Sequence, residues 1–120
     1  MKRNKFNVGT SKKSKKDRTV DSIVFMSKKE AQRYIELKKL EKKGLIKDLE
    51  VQPRFVLQTA FIDNENNKHR KIEYVADFRY YDKNLKAVIV EDVKGMRTDI
   101  YKIKKKLLLY SYNDFLFRET

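Results

Sequence analysis

Hydrophobic positions recur with a helical period in one segment of the chain, residues 27–44. The segment opens with Ser27-Lys28-Lys29-Glu30, which has the form of a capping box at a helix N-terminus. Gly44 is suited to end the helix, because glycine tolerates the left-handed conformation of a C-terminal cap. The pattern therefore predicts one helix between these signals, with apolar positions at Ala31, Tyr34, Leu37 and Leu40.

Three strand-like runs follow this helix, at about residues 51–62, 72–81 and 87–94. Each run is rich in β-branched and aromatic residues. The polar stretch 63–70 predicts a loop between the first two runs. Asp82-Lys83-Asn84 predicts the turn of a hairpin between the last two.

A second helix is predicted after Gly95, with Thr98 or Asp99 as its cap. Its apolar residues share one stripe, which we expect to pack beneath a lysine-rich opposite face; the stripe consists of Ile100, Ile103, Leu107 and Tyr110. Residues 115–117 predict a short final strand. The order helix, three strands, helix, strand predicts an α/β (α+β) fold.

The predicted hairpin decides which acidic side chains meet. Alternation along each strand gives Asp77 one face of the second strand, and gives Asp92 and Lys94 one shared face of the third. A connecting loop of two or four residues puts all three on the same side, whereas a loop of three brings Asp77 to the face of Glu91. Only the even loop gathers two carboxylates and a lysine, and this is the arrangement we expect.

Two carboxylates on adjacent strands repel each other, so the arrangement is unfavourable for folding alone. A divalent cation removes the repulsion, and oxygen ligands suit Mg²⁺ or Mn²⁺. With no cysteine and a single histidine, His69, the chain lacks the ligands for a histidine-rich or thiolate zinc site. The cation could activate a water for attack on a phosphate, with Lys94 beside that water.

The net charge identifies the expected partner. Thirty basic and 17 acidic residues leave +13, which favours a polyanion such as DNA. No apolar run approaches the roughly 18 residues that span a membrane. The basic start lacks the apolar stretch of a signal peptide, so we expect a cytoplasmic location and no membrane partner.

Residues 1–18 carry eight basic residues and one acidic residue, a composition that does not bury a core. We predict a flexible arm that attracts phosphates, followed by one folded domain at residues 19–120. A merely solubilising tail is the alternative, and a lysine-rich helix face is usually just solvated. The lysines considered for DNA binding are Lys12, Lys13, Lys15 and Lys16 in the arm, and Lys102 and Lys105 on the second helix.

Asp77, followed after a hairpin by Asp92-Val93-Lys94, resembles the motif of the PD-(D/E)xK nuclease superfamily, which includes restriction endonucleases and Holliday-junction resolvases. Residues 74–78 and 90–95, with Thr98, are similar to small phage-associated nucleases of this group. The likeness covers about residues 27–110, and Ala76 stands where the motif's name has proline. It implies a restriction-endonuclease-like core, in which helices flank a mixed sheet.

The resemblance also implies an Mg²⁺-dependent DNA endonuclease. Asp77 and Asp92 would hold the metal with the Val93 carbonyl, and Lys94 would be catalytic. Glu30 matches the acid that the first helix often supplies, although the capping box with Ser27 also explains it. Gln52 looks like an accessory glutamine of some members, or is only a polar strand residue.

By the same analogy the substrate is a Holliday junction or other branched DNA, in phage recombination or replication. A symmetric four-way junction requires two active sites and therefore a homodimer. A phage-encoded protein would act in the bacterial host cell. Two other functions stay open: a non-catalytic basic nucleic-acid-binding protein, and a sequence-tolerant or single-strand endonuclease.

Overall fold

The computed structural model describes residues 12–93 and 97–120, which form three helices and ten strands. The mixed helix-and-strand class expected from the sequence is confirmed. Contacts divide the chain into two compact units, one ending at Ile46 and one beginning at Lys47. Among the described residues, the helices are all too short or too polar to cross a membrane.

The first unit contains α1 (Lys12–Asp17), β1 (Thr19–Val20), β2 (Ile23–Val24) and α2 (Lys28–Lys42). β1 and β2 form a hairpin, whose turn residues Asp21 and Ser22 both have positive φ. Arg18, which the sequence groups with the arm, is buried, and its Nε donates to the Phe25 carbonyl at 2.8 Å. The described end of the predicted arm is therefore helical and leads into a buried residue.

α2 begins and ends at the predicted signals. The Glu30 N–H donates to Ser27 Oγ at 3.1 Å, which caps the first turn. At the other end Gly44 has φ +78°, and its N–H donates to the Glu41 carbonyl at 3.0 Å. Three of the four predicted apolar positions are buried, namely Ala31, Tyr34 and Leu37.

From Ile46 onward the chain contains more strands than the sequence predicts. They are β3 (Ile46–Val51), β4 (Arg54–Gln58), β5 (Phe61–Ile62), β6 (Lys68–His69), β7 (Ile72–Val75), β8 (Phe78–Asp82), β9 (Ala87–Asp92) and β10 (Leu116–Glu119), with α3 (Asp99–Ser111) before the last. The single predicted strand 51–62 is wrong, because Gln52 at φ +54° separates β3 from β4. β3 was missed because charged residues occupy half of its positions.

The predicted strand 72–81 is broken at Ala76 and Asp77. Before the break β7 pairs antiparallel with β4; after it β8 pairs antiparallel with β9, in a sheet of order β10-β9-β8-β3. β10 adds to β9 in parallel, which makes this sheet mixed. Asp77 therefore lies where the chain leaves one pair of strands and enters the four-stranded sheet.

The core of the second unit contains residues from α3, from the β4–β7 pair and from the four-stranded sheet. Buried Phe55, Tyr74, Ala76, Val90 and Leu108 form one cluster, and α3 packs against β4 and β7. Ala76 has no exposed surface, so the residue before the candidate acid Asp77 serves the core.

The orientation of α3 differs from the prediction. Its predicted apolar stripe faces outward; all four residues are exposed, from 42% at Leu107 to 88% at Tyr110. Leu108 is the buried residue, and the polar-tipped Tyr101 and Lys105 are half-buried beside it. These long side chains cover apolar surface with their stems and direct their polar ends to the edge of the sheet, which a count of apolar residues does not detect.

Candidate functional site

The β8–β9 hairpin has a four-residue loop, residues 83–86, so the expected even length of this loop is confirmed. Asp82 Oδ1 shapes the turn by accepting the N–H groups of Asn84 and Leu85 at 2.9 and 3.0 Å. Phe78 pairs with Glu91 in this register, so the preceding residue, Asp77, lies opposite Asp92. The two candidate acids therefore meet across neighbouring strands.

Each acid is tied to the backbone of the other strand. Asp92 Oδ1 accepts the N–H of Asp77 at 3.1 Å, and Asp77 Oδ2 accepts the N–H of Val93 at 2.6 Å. These reciprocal hydrogen bonds hold both carboxylates at the end of the hairpin that lies farthest from its turn. Hydrogen bonds to an ionised carboxylate are among the stronger ones in proteins, so they offset part of the repulsion.

The two carboxylates differ in exposure: Asp92 is fully buried, whereas Asp77 is half-buried. Arg79, the neighbouring base that could have paired with Asp77, instead forms a two-point ion pair with Glu50 of β3, at 2.7 and 3.0 Å. The acid pair therefore has one buried member and one member within reach of a ligand.

Glu91 lies on the opposite face of β9 and is fully buried. The alternation along β9 predicts that Glu91 faces away from Asp92, as a solvated acid or a salt-bridge partner. The opposite face is confirmed, whereas its full burial shows that it is not solvated. Its Oε1 accepts from the Tyr80 hydroxyl at 2.7 Å, and its Oε2 accepts from Thr120 Oγ1 at 3.1 Å. Because hydrogen bonds satisfy this acid, it is a structural group rather than part of the acid pair.

A third acid, Glu119, lies near Asp92 and was not predicted from the sequence. β10 places Glu119 directly beside Asp92 in the parallel register. Glu119 accepts from Arg97 Nη2 at 3.0 Å and from the Tyr101 hydroxyl, and it lies 3.5 Å from Lys105 Nζ. No local motif could have found it, because parallel pairing between distant segments leaves no pattern in the sequence.

This cluster shifts three pKa values, and the hydrogen bond with Glu119 raises that of Arg97. The hydrogen bonds from Arg97 and then Tyr101 lower the pKa of Glu119 to about 2. Burial raises the pKa of Tyr101, and the hydrogen bond to Glu119 and the charge of Asp92 raise it further. Glu119 is thus held ionised by its own partners, and Tyr101 is held neutral within the field of Asp92.

The donor set fits a hard cation such as Mg²⁺, although it is small. Among the described residues there is no group of three or more acidic, histidine or cysteine side chains arranged to hold a metal. Mg²⁺ needs fewer, since it is commonly bound by one or two carboxylates together with waters and substrate phosphate. Asp77 and Asp92 supply two carboxylates, whereas Glu119 is engaged by Arg97, Tyr101 and Lys105.

The other predicted members of the active site have different places. Lys94 lies outside the described residues, and the metal-binding role of the Val93 carbonyl stays a prediction. Glu30 lies in the first turn of α2, in the first unit. Gln52 is exposed, and its backbone N–H donates to the Asp77 carbonyl at 2.9 Å. Gln52 is therefore linked to Asp77 through its backbone, and a role for its side chain stays a prediction.

The predicted DNA-binding lysines differ in how exposed their side chains are. Lys15 and Lys16 are exposed on α1, whereas the side chains of Lys12 and Lys13 lie outside the described part of the chain. Lys102 is exposed on α3. Lys105 is half-buried, with Nζ 4.9 Å from the centre of the Phe117 ring and 3.5 Å from Glu119.

Comparison with known proteins gives one match. A family model described as "Protein of unknown function (DUF1064)" matches residues 10–118. No curated protein and no solved structure matches the chain. The chain belongs to the DUF1064 family, and the match spans the acid pair, α3 and most of β10.

Proposed function

We propose that this member of the DUF1064 family is a metal-dependent DNA endonuclease with a restriction-endonuclease-like core, and that Asp77 and Asp92 are its catalytic carboxylates. The observation that carries the proposal is the reciprocal hydrogen bonding of the two acids across β8 and β9. A pair of like charges fixed in this way is costly to a protein that uses neither, so the arrangement favours a cation-binding role.

Asp77 and Asp92 would hold Mg²⁺, or Mn²⁺ in its place, with the Val93 carbonyl. When bound, the cation would neutralise charge on the scissile phosphate and acidify an attacking water. The chain's own contribution is positioning, because the hairpin fixes both carboxylates and Asp92 is fully buried. Lys94 would lie beside the attacking water, and Glu30 would add a ligand.

The net charge of +13 supports DNA as the substrate, since it attracts the phosphate backbone without reading bases. We propose branched DNA such as a Holliday junction as the preferred substrate and a homodimer as the active form, in a phage-encoded protein acting in the cytoplasm of a bacterial host. A basic binding protein without catalysis is the alternative, and the small acidic donor set among the described residues favours it.

The test compares the purified protein with Asp77→Asn and Asp92→Asn variants on a labelled four-way junction, linear duplex and single strand. Each reaction contains Mg²⁺, Mn²⁺ or EDTA. We expect metal-dependent cutting, reduced at least about 100-fold in either variant because each loses a metal ligand. Asp114→Asn is the matched control, since it removes the same charge from an exposed position in the same unit.

Two results would contradict the proposal. One is tight DNA binding without cutting under every metal condition, which favours the binding protein. The other is a loss of cutting activity in Asp77→Asn and Asp92→Asn that is no larger than the loss in the control Asp114→Asn. If the protein cuts single strands or duplex in preference to the junction, the nuclease proposal stands and the proposed substrate is wrong.

A further inference from the structure

A cleft of about 270 Å³ lies between β7 and the first turns of α3. Its walls include Glu73, Tyr74 and Val75 from the strand, and Thr98, Tyr101 and Lys104 from the helix side. We call it the β7–α3 cleft. The catalytic role proposed for the acid pair uses none of these residues.

The cleft borders the acid pair at two points. Val75 precedes Asp77 by two residues, so their Cα atoms are at most about 7 Å apart. Tyr101 lines the cleft, and its hydroxyl donates to Glu119, which β10 places beside Asp92. A DNA strand with one phosphate at the acid pair would therefore have a phosphate one or two nucleotides away at the cleft.

The helix side of the cleft is suited to an anion. α3 starts here with Thr98 as its N-cap, and the N–H groups of a first helical turn form the positive end of the helix dipole. Lys104 adds a charge from the next turn. It is half-buried, and among the described residues it forms no salt bridge.

The strand side supplies an independent sign of a missing ligand. Tyr74 is 97% buried, and its hydroxyl has no hydrogen-bond partner in the part of the chain that the structure describes. A buried hydroxyl without a partner is unfavourable, and a ligand oxygen would remove that cost. Tyr74 is also a wall of the cleft, so a ligand there lies against this residue.

The acid in the wall does not make the cleft negative. Glu73 lies 3.5 Å from Arg54 Nη1 and 3.6 Å from Lys71 Nζ. These two bases offset its charge, and Lys104 leaves the cleft with an excess of positive charge. The electrostatic balance is therefore compatible with a phosphate.

We propose that the β7–α3 cleft binds a phosphodiester group of the DNA strand that enters the acid pair, with Lys104, the Tyr74 hydroxyl and the first-turn N–H groups of α3 as donors. The inference rests on the proposed function, because it gives the substrate strand a path beside the active site. It assigns the main contact to a lysine different from Lys102 and Lys105, the two lysines of this helix that the sequence analysis considered.

The experiment measures binding of a fluorescent 20-base-pair duplex by anisotropy in EDTA, where no metal-dependent cutting occurs. Lys104→Ala is compared with Lys106→Ala, which removes the same charge from an exposed position two residues away on α3. We expect about fivefold to tenfold weaker binding for Lys104→Ala, and a salt dependence of log K reduced by about 0.9, the value for one phosphate contact. Lys106→Ala should change both quantities much less.

Two further variants separate a contact from a loss of folding. Lys104→Arg should restore most of the affinity, because it restores the charge. Tyr74→Phe should weaken binding about twofold to fivefold without lowering the melting temperature, because the hydroxyl that it removes has no described partner. Equal effects of Lys104→Ala and Lys106→Ala would overturn the proposal, as would unchanged binding in Lys104→Ala with normal folding.

The outcomes of these experiments distinguish a failure of the cleft assignment from a failure of the nuclease proposal. If the wild-type protein cuts DNA and Lys104→Ala binds like Lys106→Ala, only the cleft assignment fails. If the wild-type protein never cuts but Lys104→Ala selectively loses affinity, the nuclease proposal fails and the cleft remains a DNA-backbone site of a binding protein.

Discussion

The orientation of α3 can be tested with two adjacent leucines, Leu107 and Leu108. Leu108 is fully buried in the cluster with Phe55, Tyr74 and Val90, whereas Leu107 is 42% exposed. Each leucine-to-alanine change removes the same atoms from the same helix and has the same effect on helix propensity. The difference in stability between the two variants therefore reports which face of α3 is in the core.

The burial determines the expected magnitudes. Truncation of Leu108 removes three buried carbon groups, about 2.4 kcal/mol of transfer free energy, and leaves a cavity that brings the total to about 3–4 kcal/mol. Truncation of Leu107 removes atoms that are already partly hydrated and leaves no enclosed cavity, so it should cost at most about 1 kcal/mol. For a chain of this size the Leu108 variant should melt about 10–15 °C lower.

Urea unfolding followed by circular dichroism gives the two free energies, and thermal melting gives the second measure. A Leu107 variant that loses as much stability as the Leu108 variant would refute the orientation in which the predicted stripe faces outward. Melting at several protein concentrations is the control, because burial of the stripe in an oligomer would make the melting temperature depend on concentration.

Three further predictions concern charges and caps. Asp77→Asn should raise the melting temperature in EDTA by relieving repulsion and should abolish the stabilisation by Mg²⁺, both measured by thermal shift. Arg97 lowers the pKa of Glu119 from 4.5 to about 2, so ionised Glu119 stabilises the fold above about pH 4.5 and loses that effect as the pH falls toward 2. The difference in unfolding free energy between wild type and Arg97→Ala, measured by urea titration, should therefore become smaller over that range. A difference that stays constant with pH would contradict the assignment. Ser27→Ala should cost about 1 kcal/mol without changing cleavage, whereas Glu30→Gln should reduce cleavage without that loss if Glu30 binds metal.

The sequence predicts best where the determinant is local. Ser27 and Gly44 fix the ends of α2 through contacts within a few residues, and both predictions are confirmed. The pairing of Asp77 with Asp92 is also nearly local, because one short turn sets the register of the hairpin. The alternation of side chains along two strands, together with the even length of the loop, was therefore sufficient to predict that the acids share one face.

The features that the sequence missed depend on distant parts of the chain. Glu119 reaches Asp92 only because β10 adds to β9 in parallel, and a parallel register has no local signature. The break at Ala76 and Asp77 arises because β7 and β8 pair with different partners, β4 and β9, although the intervening residues are typical of one continuous strand. Propensity is a property of each segment, whereas pairing is decided by the whole sheet.

The inverted orientation of α3 links these non-local features to function. If the Ile100–Tyr110 stripe faced the core, as its spacing suggested, Tyr101, Lys104 and Lys105 would point to solvent and would only enlarge a diffuse positive surface. With Leu108 inward, Tyr101 and Lys105 reach Glu119, and Lys104 lines the β7–α3 cleft. The rotation of a single helix thus decides whether its lysines attract DNA in general or contact one phosphate beside the acid pair. The comparison of Leu107→Ala with Leu108→Ala tests this rotation by stability. The comparison of Lys104→Ala with Lys106→Ala tests it by DNA binding.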